Sequence, residues 1–284
     1  MNIREVLKFG EKRLLASGIE NYRNEAAWLL CSLLNIDRPR LLAYPDMTVG
    51  EDAAKIYIQY IERRAAREPL QYIMGTQEFA GMEIAVNPWV LIPRPETELL
   101  VLAALVTAKQ FSKPNVLDLC TGSGAIGLAI ARRLSEAVVT CTDISEQAAK
   151  TAEMNAQRLG LKDRVEVLAG DLFEPVKGRR FDIIVCNPPY IPQAQIPLLQ
   201  PEVNKYEPII ALSGGADGLD FYKRILDSVA DYLNNEGCLI FEVGKGQAES
   251  VADMMGRRFN KIETITDDNG IERVVTGKLK VGLC

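Results

Sequence analysis

A short turn, Asn-Pro-Pro-Tyr, contains residue types that could bind a planar amino group: Asn187, Pro188, Pro189 and Tyr190. The Asn187 side-chain oxygen and the Pro188 carbonyl are hydrogen-bond acceptors, and neither proline has an N–H that would compete with a bound donor. The ring of Tyr190 is flat and suits stacking. We therefore predict that this turn binds a planar group through both of its N–H bonds, with Asn187, Pro188 and Tyr190 as catalytic residues.

Binding both hydrogens of a planar amino group has a chemical use. The nitrogen of an amide or aryl amine is a poor nucleophile because its lone pair is delocalised. Rigidly placed acceptors orient that lone pair toward an electrophilic carbon and stabilise the positive charge that develops on nitrogen. Neutral acceptors are enough, and no strong carboxylate base is required. The competing interpretation is a proline-rich turn that only ends a strand.

A second motif, Asp-Leu-Cys-Thr-Gly-Ser-Gly-Ala-Ile-Gly at residues 118–127, follows a predicted strand and opens a predicted helix. Its glycines allow a tight turn and the close approach of a ligand to the backbone. Asp143 follows about 20 residues later, at the end of the next strand, where a carboxylate accepts hydrogen bonds from both hydroxyls of a ribose. The pairing of the glycine loop with Asp143 predicts an adenosine-type ligand, without indicating which one.

The glycine motif also has a purely structural interpretation, as a turn required only for packing between helix and strand. Asp118 has two interpretations, a hydrogen bond to the ligand or an ordering of the loop. A third contact is predicted after the following strand, where Asp171 could accept from an adenine amino group and Leu172 could pack on the ring. A polar turn beside core side chains is the alternative there.

The elements that position these motifs alternate between strand and helix from residue 115 onward. Apolar strands are predicted at 116–120, 138–143, 165–169, 181–186 and 238–243, with helices between them. Two further segments, 262–266 and 271–276, flank Asn269-Gly270, the strongest short hairpin signal. We predict an α/β fold: a doubly wound, Rossmann-like sheet of seven strands that ends in an antiparallel hairpin.

The residues before this pattern are predicted to form a small helical region. Asn24 is a candidate cap for a helix at 25–34, and Thr48 has capping-box spacing ahead of a helix that ends near Arg67. Turn residues such as Gly81 indicate a short hairpin between 76 and 91. Trp28 and Trp89 are expected in the core. The predicted domains are a helical domain at 1–75, a hairpin linker at 76–94 and a catalytic domain at 95–284.

Composition excludes several classes of function. The chain has 284 residues, 33 basic and 38 acidic side chains, and a net charge of −5, which argues against broad nucleic-acid binding. It has no histidine, which excludes Ser-His-Asp and Cys-His nucleophiles and His-ligated zinc. The longest apolar stretch is about half a membrane span, and the first residues lack a signal-peptide pattern. The six cysteines, Cys284 included, form no close pairs. We therefore expect reduced thiols, no metal and a cytoplasmic location.

Taken together, the glycine loop, Asp143, the Asn-Pro-Pro-Tyr turn and the terminal hairpin resemble class I S-adenosylmethionine-dependent methyltransferases that modify a planar amino nitrogen. Residues 68–75, 92–98 (Ile-Pro-Arg-Pro-Glu-Thr-Glu) and 214–219 (Gly-Gly-Ala-Asp-Gly-Leu) further resemble the release factor glutamine methyltransferases, the PrmC/HemK family. The resemblance covers essentially the whole chain. It implies methyl transfer from S-adenosylmethionine to the side-chain amide nitrogen of the glutamine in the Gly-Gly-Gln motif of class 1 peptide chain release factors.

The resemblance also implies roles for individual residues. Residues 120–124, Asp143, Asp171, Leu172 and Asn187 would line the site of S-adenosylmethionine and its product S-adenosylhomocysteine, while 187–190 would bind the glutamine. The helical domain would recognise the substrate, and the chain would act as a monomer without stable nucleic-acid or membrane partners. Two positions depart from the family pattern: Cys120 stands where the loop often has glycine, and Leu172 stands where an aromatic residue often packs on adenine.

Three other functions fit parts of the sequence. An N6-adenine DNA methyltransferase, or another planar-amine methyltransferase, shares the Asn-Pro-Pro-Tyr turn, but the acidic balance weighs against a DNA substrate. A nicotinamide-dependent oxidoreductase shares the glycine pattern but needs a proton-relay residue, commonly His or a Tyr–Lys pair, and none is convincing here. A non-catalytic adaptor could use the first domain, although the intact cleft residues argue against it.

Overall fold

The structure, a computed structural model, describes residues 1–280, so the expectations for Cys284 and for the very end of the catalytic domain lie outside the described residues. Its α-helices are α1 (Ile3–Ala16), α2 (Tyr22–Leu34), α3 (Arg38–Ala43), α4 (Glu51–Ala65), α5 (Leu70–Met74), α6 (Glu98–Ala108), α7 (Ala125–Arg133), α8 (Glu146–Arg158), α9 (Pro201–Tyr206), α10 (Asp220–Ser228) and α11 (Ala248–Met255). Its β-strands are β1 (Thr76–Phe79), β2 (Met82–Ala85), β3 (Asn115–Leu119), β4 (Val138–Asp143), β5 (Val165–Ala169), β6 (Phe181–Cys186), β7 (Leu233–Glu242), β8 (Phe259–Thr266) and β9 (Glu272–Leu279).

The first of two compact units comprises Met1–Thr76 together with Gln200–Tyr206. It contains the short helix α9 and helices α1 to α5, which enclose an apolar core that includes Leu14, Leu30 and Ile61. Helix α1 begins with a capping box, in which the Asn2 side chain accepts from the Glu5 N–H and the Glu5 carboxylate accepts from the Asn2 N–H. The cap satisfies two backbone donors that the first turn leaves without helical partners.

Both caps that we predicted in this unit are wrong. Helix α2 begins at Tyr22, and Asn24 lies inside it with its side-chain amide donating to Asn21. Helix α4 follows Gly50 without a side-chain cap, while Thr48 forms a backbone bridge with Asn2. Asn24 thus contacts Asn21, and Thr48 pairs with Asn2. The cap pattern alone shows neither contact.

Helix α9 belongs to the first unit through buried ion pairs. Arg64 donates to Glu25 and, at 2.9 Å, to Glu202 of α9, and Arg67 donates to the other oxygen of Glu202 at 2.9 Å. The Tyr206 hydroxyl also donates to the Ala66 carbonyl at 2.8 Å. Because Arg64 is largely excluded from water, loss of its carboxylate partners would leave a buried charge unpaired.

The second unit comprises Gln77–Leu199 and the residues from Glu207 onward. Its sheet has seven strands in the order β5-β4-β3-β6-β7-β9-β8, with parallel pairing from β5 to β7 and antiparallel pairing of β7 with β9 and of β9 with β8. This confirms the predicted doubly wound fold with its terminal hairpin. Strands β4, β5 and β6 have the predicted bounds, because each is a short apolar run between turns.

The strand order of the sheet reverses direction at β3. The chain runs outward from β3 through β4 to β5 and then returns to β6 on the other side of β3. In open α/β sheets, ligands bind outside the carboxyl ends of the strands at such a switch point. The topology therefore places the loops after β3 and β6, which carry the two main motifs, at the expected ligand crevice.

Three further findings concern residues 1–280. No helix in that range is both long and apolar enough to cross a membrane. The five cysteines of that range are free thiols. Trp28, which we expected in the core, is 40% exposed on α2, and that expectation is wrong.

Helix α1 approaches helix α4 so closely at Gly10 that a side chain there has no room. A Cβ atom at this position would lie 2.2 Å from the Tyr57 hydroxyl oxygen and 2.9 Å from Ile61 Cδ1. The Tyr57 hydroxyl donates to the Ala26 carbonyl at 3.1 Å, so its ring is not free to move away. We expect Gly10→Ala to destabilise the chain by about 2 kcal/mol in chemical denaturation, despite a gain of about 1 kcal/mol in helix propensity.

The matched control is the double variant Gly10→Ala/Tyr57→Phe, which lacks the hydroxyl that the new methyl group would meet. It should be less destabilised than the sum of the two single variants, since the clash and the lost hydrogen bond involve the same atom. A Gly10→Ala variant as stable as the wild type would contradict the close approach.

Candidate active site

The loops after four parallel strands line one cleft in the second unit. They contribute Cys120–Ser123 after β3, Asp143–Ser145 after β4, Asp171 and Leu172 after β5, and Asn187 and Pro189 after β6. Other walls come from Trp89, Val90, Leu91, Pro93, Arg94 and Thr97, and from Ile210, Ala211, Phe221 and Arg224. Of the site residues predicted from the sequence, all but Gly124, Pro188 and Tyr190 line this cleft.

Asp143 joins two of these loops. Its Oδ2 accepts the Gly122 N–H at 2.8 Å, and its Oδ1 accepts the Ser145 N–H at 2.9 Å. Burial raises the pKa of this carboxyl, and the two hydrogen bonds oppose the rise. Each carboxylate oxygen keeps a second lone pair, so Asp143 can still accept hydrogen bonds from a diol in the cleft.

Asp118 lies beneath the glycine loop and is fully buried. Its Oδ2 accepts the Thr121 hydroxyl at 2.5 Å and the Gly127 N–H at 2.9 Å. Asp118 does not line the cleft, so the geometry agrees with the interpretation in which it orders the loop. The loop is thus held from below by Asp118 and from the side by Asp143.

The two positions that depart from the family pattern share a backbone feature. Cys120 has a φ angle of +57° and Leu172 one of +48°, both in the left-handed region. A side chain in that region costs about 1 kcal/mol or more, which glycine avoids. Cys120 and Leu172 nevertheless line the cleft, so both keep a position from which a ligand can be contacted.

The Asn-Pro-Pro-Tyr turn presents only part of its predicted surface to the cleft. Asn187 is half-buried and Pro189 buried, and both line the cleft, whereas Pro188 is buried and does not. The Tyr190 ring packs against the apolar core beside the sheet, and burial raises the pKa of its hydroxyl. The stacking surface expected from Tyr190 is therefore not on the cleft wall.

The Gly-Gly-Ala-Asp-Gly-Leu run packs on this turn and explains its two close glycines. A Cβ atom at Gly214 would lie 2.7 Å from the Pro189 carbonyl oxygen, and one at Gly218 would lie 2.3 Å from the Tyr190 carbonyl oxygen. The Tyr190 carbonyl also accepts from Gln247 Nε2 at 3.0 Å. Backbone contacts on this side hold the turn at the end of β6.

Sequence reasoning missed several residues around the cleft. Trp89, expected in the core, is 59% exposed and lines the cleft together with Arg94, which pairs with the buried Glu207. Thr97 lines the cleft and is buried. The one local signal was the polar run at 94–98, which precedes an apolar helix.

Asn155 was also missed, because it resembles an ordinary residue of α8. It is fully buried, accepts the Ala85 N–H at 2.9 Å, and donates to the Ala85 carbonyl at 3.0 Å and to the Ser123 carbonyl at 2.9 Å. One side chain therefore ties strand β2 to the glycine loop. Its role depends on contacts distant in sequence, which no local pattern shows.

Comparison with known proteins gives the family. Residues 5–75 match the family model described as PrmC N-terminal domain, and residues 96–200 match the one described as Methyltransferase small domain. The release factor glutamine methyltransferase of Geobacter sulfurreducens is 46% identical over 278 residues, which cover 98% of this chain and 96% of that protein. The chain belongs to the release factor glutamine methyltransferase family. The protein of the same name from Clostridium acetobutylicum is 41% identical over 97% of this chain and 98% of its own length.

Family membership confirms the resemblance seen in the motifs, and with it the assignment to the S-adenosylmethionine-dependent methyltransferases. Among solved structures, the hMettl16 catalytic domain in complex with MAT2A 3′UTR hairpin 1 has a TM-score of 0.59 at 15% identity, covering 91% of this chain and 92% of that one. The same domain with hairpin 6 has a TM-score of 0.58 over 84% of this chain and 85% of that one, at 15% identity. At this identity the likeness shows a shared methyltransferase fold.

Burial of Asp118 predicts a pH-dependent contribution to stability. It raises the pKa of this carboxyl from 3.8 to about 7. Between about pH 4 and 7 the folded chain therefore keeps a proton that the unfolded chain has lost, so this group lowers stability as pH rises through that range. Asp118→Asn keeps an oxygen for Thr121 and Gly127 but does not ionise. Its stability relative to the wild type should rise by up to about 2 kcal/mol from pH 5 to pH 7.

Chemical denaturation of both proteins at pH 5, 6, 7 and 8 measures this difference. Asp163→Asn, at an exposed site, controls for the loss of one acidic side chain. A constant difference between Asp118→Asn and the wild type across this range would show that Asp118 ionises normally in the folded chain.

Proposed function

We propose that this protein transfers a methyl group from S-adenosylmethionine to the side-chain amide nitrogen of the glutamine in the Gly-Gly-Gln motif of class 1 peptide chain release factors. The names of its curated relatives support this substrate. The structural observation that carries the proposal is that Asn187, at the end of β6, lines the same cleft as Asp143 and the glycine loop. An acceptor for an amide and an acceptor for a ribose thus face one space.

The residues of the cleft fit S-adenosylmethionine. Asp143 has a free lone pair on each oxygen for the ribose hydroxyls, and the loop at 120–124 offers its backbone. Asp171 already accepts from Arg224 through Oδ2, which leaves Oδ1 for an adenine amino group, and Leu172 offers an apolar surface to the ring. When bound, S-adenosylmethionine would supply an electrophilic methyl carbon and leave as S-adenosylhomocysteine.

The Asn-Pro-Pro-Tyr turn would bind and orient the glutamine. Asn187 Oδ1 would accept one N–H of the carboxamide, which places the nitrogen lone pair toward the cleft. The Pro188 carbonyl as acceptor of the second N–H stays a prediction, because Pro188 is buried and does not line the cleft. Asn187 Oδ1 would also stabilise positive charge on that nitrogen. Once the new N–C bond has formed, the nitrogen would carry a positive charge and lose a proton to water, so the reaction would need neither a histidine nor a metal.

Two parts of the sequence-based prediction enter the proposal in different ways. A stacking role for Tyr190 stays a prediction, because its ring packs against the core. The helical domain at 1–75, which matches the PrmC N-terminal domain, would recognise the release factor, and the domain at 95–284 would carry out the chemistry. The cytoplasm, where release factors act, is the compartment that this function requires.

Methylation of a purified release factor tests the function directly. With S-adenosylmethionine present, the chain should methylate the Gly-Gly-Gln glutamine, as read by mass spectrometry of the peptide. Asn187→Ala should lower kcat by about a hundredfold or more, because an acceptor for the reacting nitrogen is lost. The control variant Asn269→Ala removes an exposed asparagine at the tip of the terminal hairpin and should retain wild-type kcat.

Circular dichroism establishes that Asn187→Ala is folded before its rate is compared. Wild-type kcat in that variant would contradict the role given to Asn187. Methyl incorporation into duplex DNA at the rate found for the release factor would instead favour the N6-adenine alternative.

Thermal shift distinguishes the cofactor. A ligand that binds only the folded chain raises its melting temperature, so S-adenosylhomocysteine at about 100 times its Kd should give a shift of several degrees. NAD should give none. Asp143→Ala should weaken S-adenosylhomocysteine binding at least about tenfold, because both ribose acceptors are lost. Asp163→Ala serves as the control, and an equal shift with NAD would contradict the assignment.

A further inference from the structure

Glu242 is a buried carboxylate that the proposed mechanism does not use. It ends strand β7, and β7 pairs in parallel with β6, with Phe241 opposite Cys186. The next residues along the two chains, Glu242 and Asn187, therefore lie side by side. Glu242 is only 2% exposed, so its carboxyl group has little access to water.

Two polar atoms at this place lack partners. Glu242 Oε2 and Thr97 Oγ1 are both buried, and neither forms a hydrogen bond with any residue that the structure describes. The Thr97 hydroxyl and the Asn187 amide are nevertheless near enough to oppose the rise in the pKa of Glu242 that burial causes. An unpaired buried carboxylate oxygen is costly for a fold, and such groups cluster at functional sites.

Within residues 1–280, no cation forms a direct ion pair with Glu242. Glu96 raises the pKa of Glu242 and Arg273 lowers it, but the Arg273 guanidinium itself pairs with Asp267 at 3.0 Å. The Tyr222 hydroxyl donates to the backbone carbonyl of Glu242 at 2.8 Å. Glu242 also raises the pKa of the Tyr190 and Tyr222 hydroxyls.

We propose that Glu242 is a positioning residue that orients the side-chain amide of Asn187. Its carboxylate accepts from Asn187 Nδ2, which leaves Oδ1 directed toward the cleft. The inference rests on the proposed function, because Oδ1 is the atom that would accept an N–H of the glutamine. Thr97 lies near the same carboxyl group, and its buried hydroxyl is a second potential donor to it.

An asparagine amide needs such an external constraint. Its oxygen and its NH2 group are nearly the same size, so rotation by half a turn exchanges an acceptor for a donor. With the NH2 group toward the cleft, a donor would face the N–H bonds of the glutamine and binding would fail. An ionised carboxylate only accepts, so it selects the orientation in which Nδ2 faces Glu242.

The ionisation state of Glu242 then decides the orientation of Asn187. Burial raises the pKa of Glu242 from 4.5 to about 7. Above that pH the carboxylate accepts from Nδ2. Below it, the protonated carboxyl can donate to Oδ1 and stabilise the unproductive orientation. The kcat for glutamine methylation should therefore rise between about pH 6 and 8, with a midpoint near pH 7.

The test compares wild type and Glu242→Gln in kcat and KM across this pH range, with both substrates varied. Glutamine at 242 does not ionise and can present either end of its amide to Asn187. We expect kcat about tenfold lower at pH 8 and no midpoint near pH 7, which corresponds to the loss of one charge-assisted hydrogen bond. The KM for S-adenosylmethionine should stay within about twofold, since a contact that orients Asn187 acts on the glutamine.

Glu96→Gln is the matched control. It removes a carboxylate that raises the pKa of Glu242 but leaves Glu242 itself, so the midpoint should move to lower pH while kcat at pH 8 is unchanged. Asp118→Asn removes the other carboxyl whose pKa lies near 7 and should leave the midpoint where it is. These two variants separate Glu242 from its charged neighbour and from the glycine loop.

A Glu242→Gln variant with the wild-type kcat and midpoint would overturn the inference and leave the proposed function intact. The inference would also be overturned if the kcat of the wild-type protein did not change between pH 6 and 8. If Glu242→Gln does not fold, Glu96→Gln decides, because an unmoved midpoint excludes Glu242 as the titrating group. Failure of the wild type to methylate the release factor at any pH would instead contradict the proposed function, and the inference with it.

Discussion

Two hydrogen bonds accepted by Asp143 hold the loop after β3 against the loop after β4, and the cleft depends on them. They require the parallel pairing of β3 with β4, in which Leu119 stands opposite Thr142 and the ladder continues through the Thr121 N–H to the Thr142 carbonyl at 3.0 Å. Each oxygen of Asp143 uses one lone pair on the protein and keeps the other. The same carboxylate therefore builds the wall of the cleft and serves a ligand inside it.

The sheet could be predicted from the sequence because its signals are local. Strands β4, β5 and β6 are apolar runs that end in turns, Ser145 caps α8 through the Ala148 N–H, and Asn269-Gly270 marks the last hairpin. The caps of the first unit could not be predicted in the same way. Several asparagines and threonines there are suitable cap residues, and tertiary pairing such as the Asn2–Thr48 bridge decides which is used. The sequence also did not indicate that α9 belongs to the first unit, because the ion pairs of α9 join residues more than a hundred positions apart.

The residues of the candidate site also fall into those that local motifs predict and those that depend on tertiary contacts. The loops were found from motifs because glycines, Asp143 and Asn187 each follow a strand. Side chains that act across the fold, such as Asn155 and Glu242, resemble ordinary helix and strand residues until β2 or β6 is placed beside them. The ring of Tyr190 illustrates the reverse case. Its type suggested a surface for stacking, but the ring packs against the apolar core.

The membership of α9 in the first unit has a consequence for dissecting the protein. A cut after Thr76 would not yield the second unit alone, since the fragment would still carry residues 200–206. Glu202 would then keep its charge but lose both arginines that bind it, and Tyr206 would lose the Ala66 carbonyl that accepts from its hydroxyl. A fragment that expresses well would need this segment replaced by a short polar linker. Dividing the gene at a single point would therefore not separate the two units, because residues 200–206 of the first unit follow part of the second unit in the sequence.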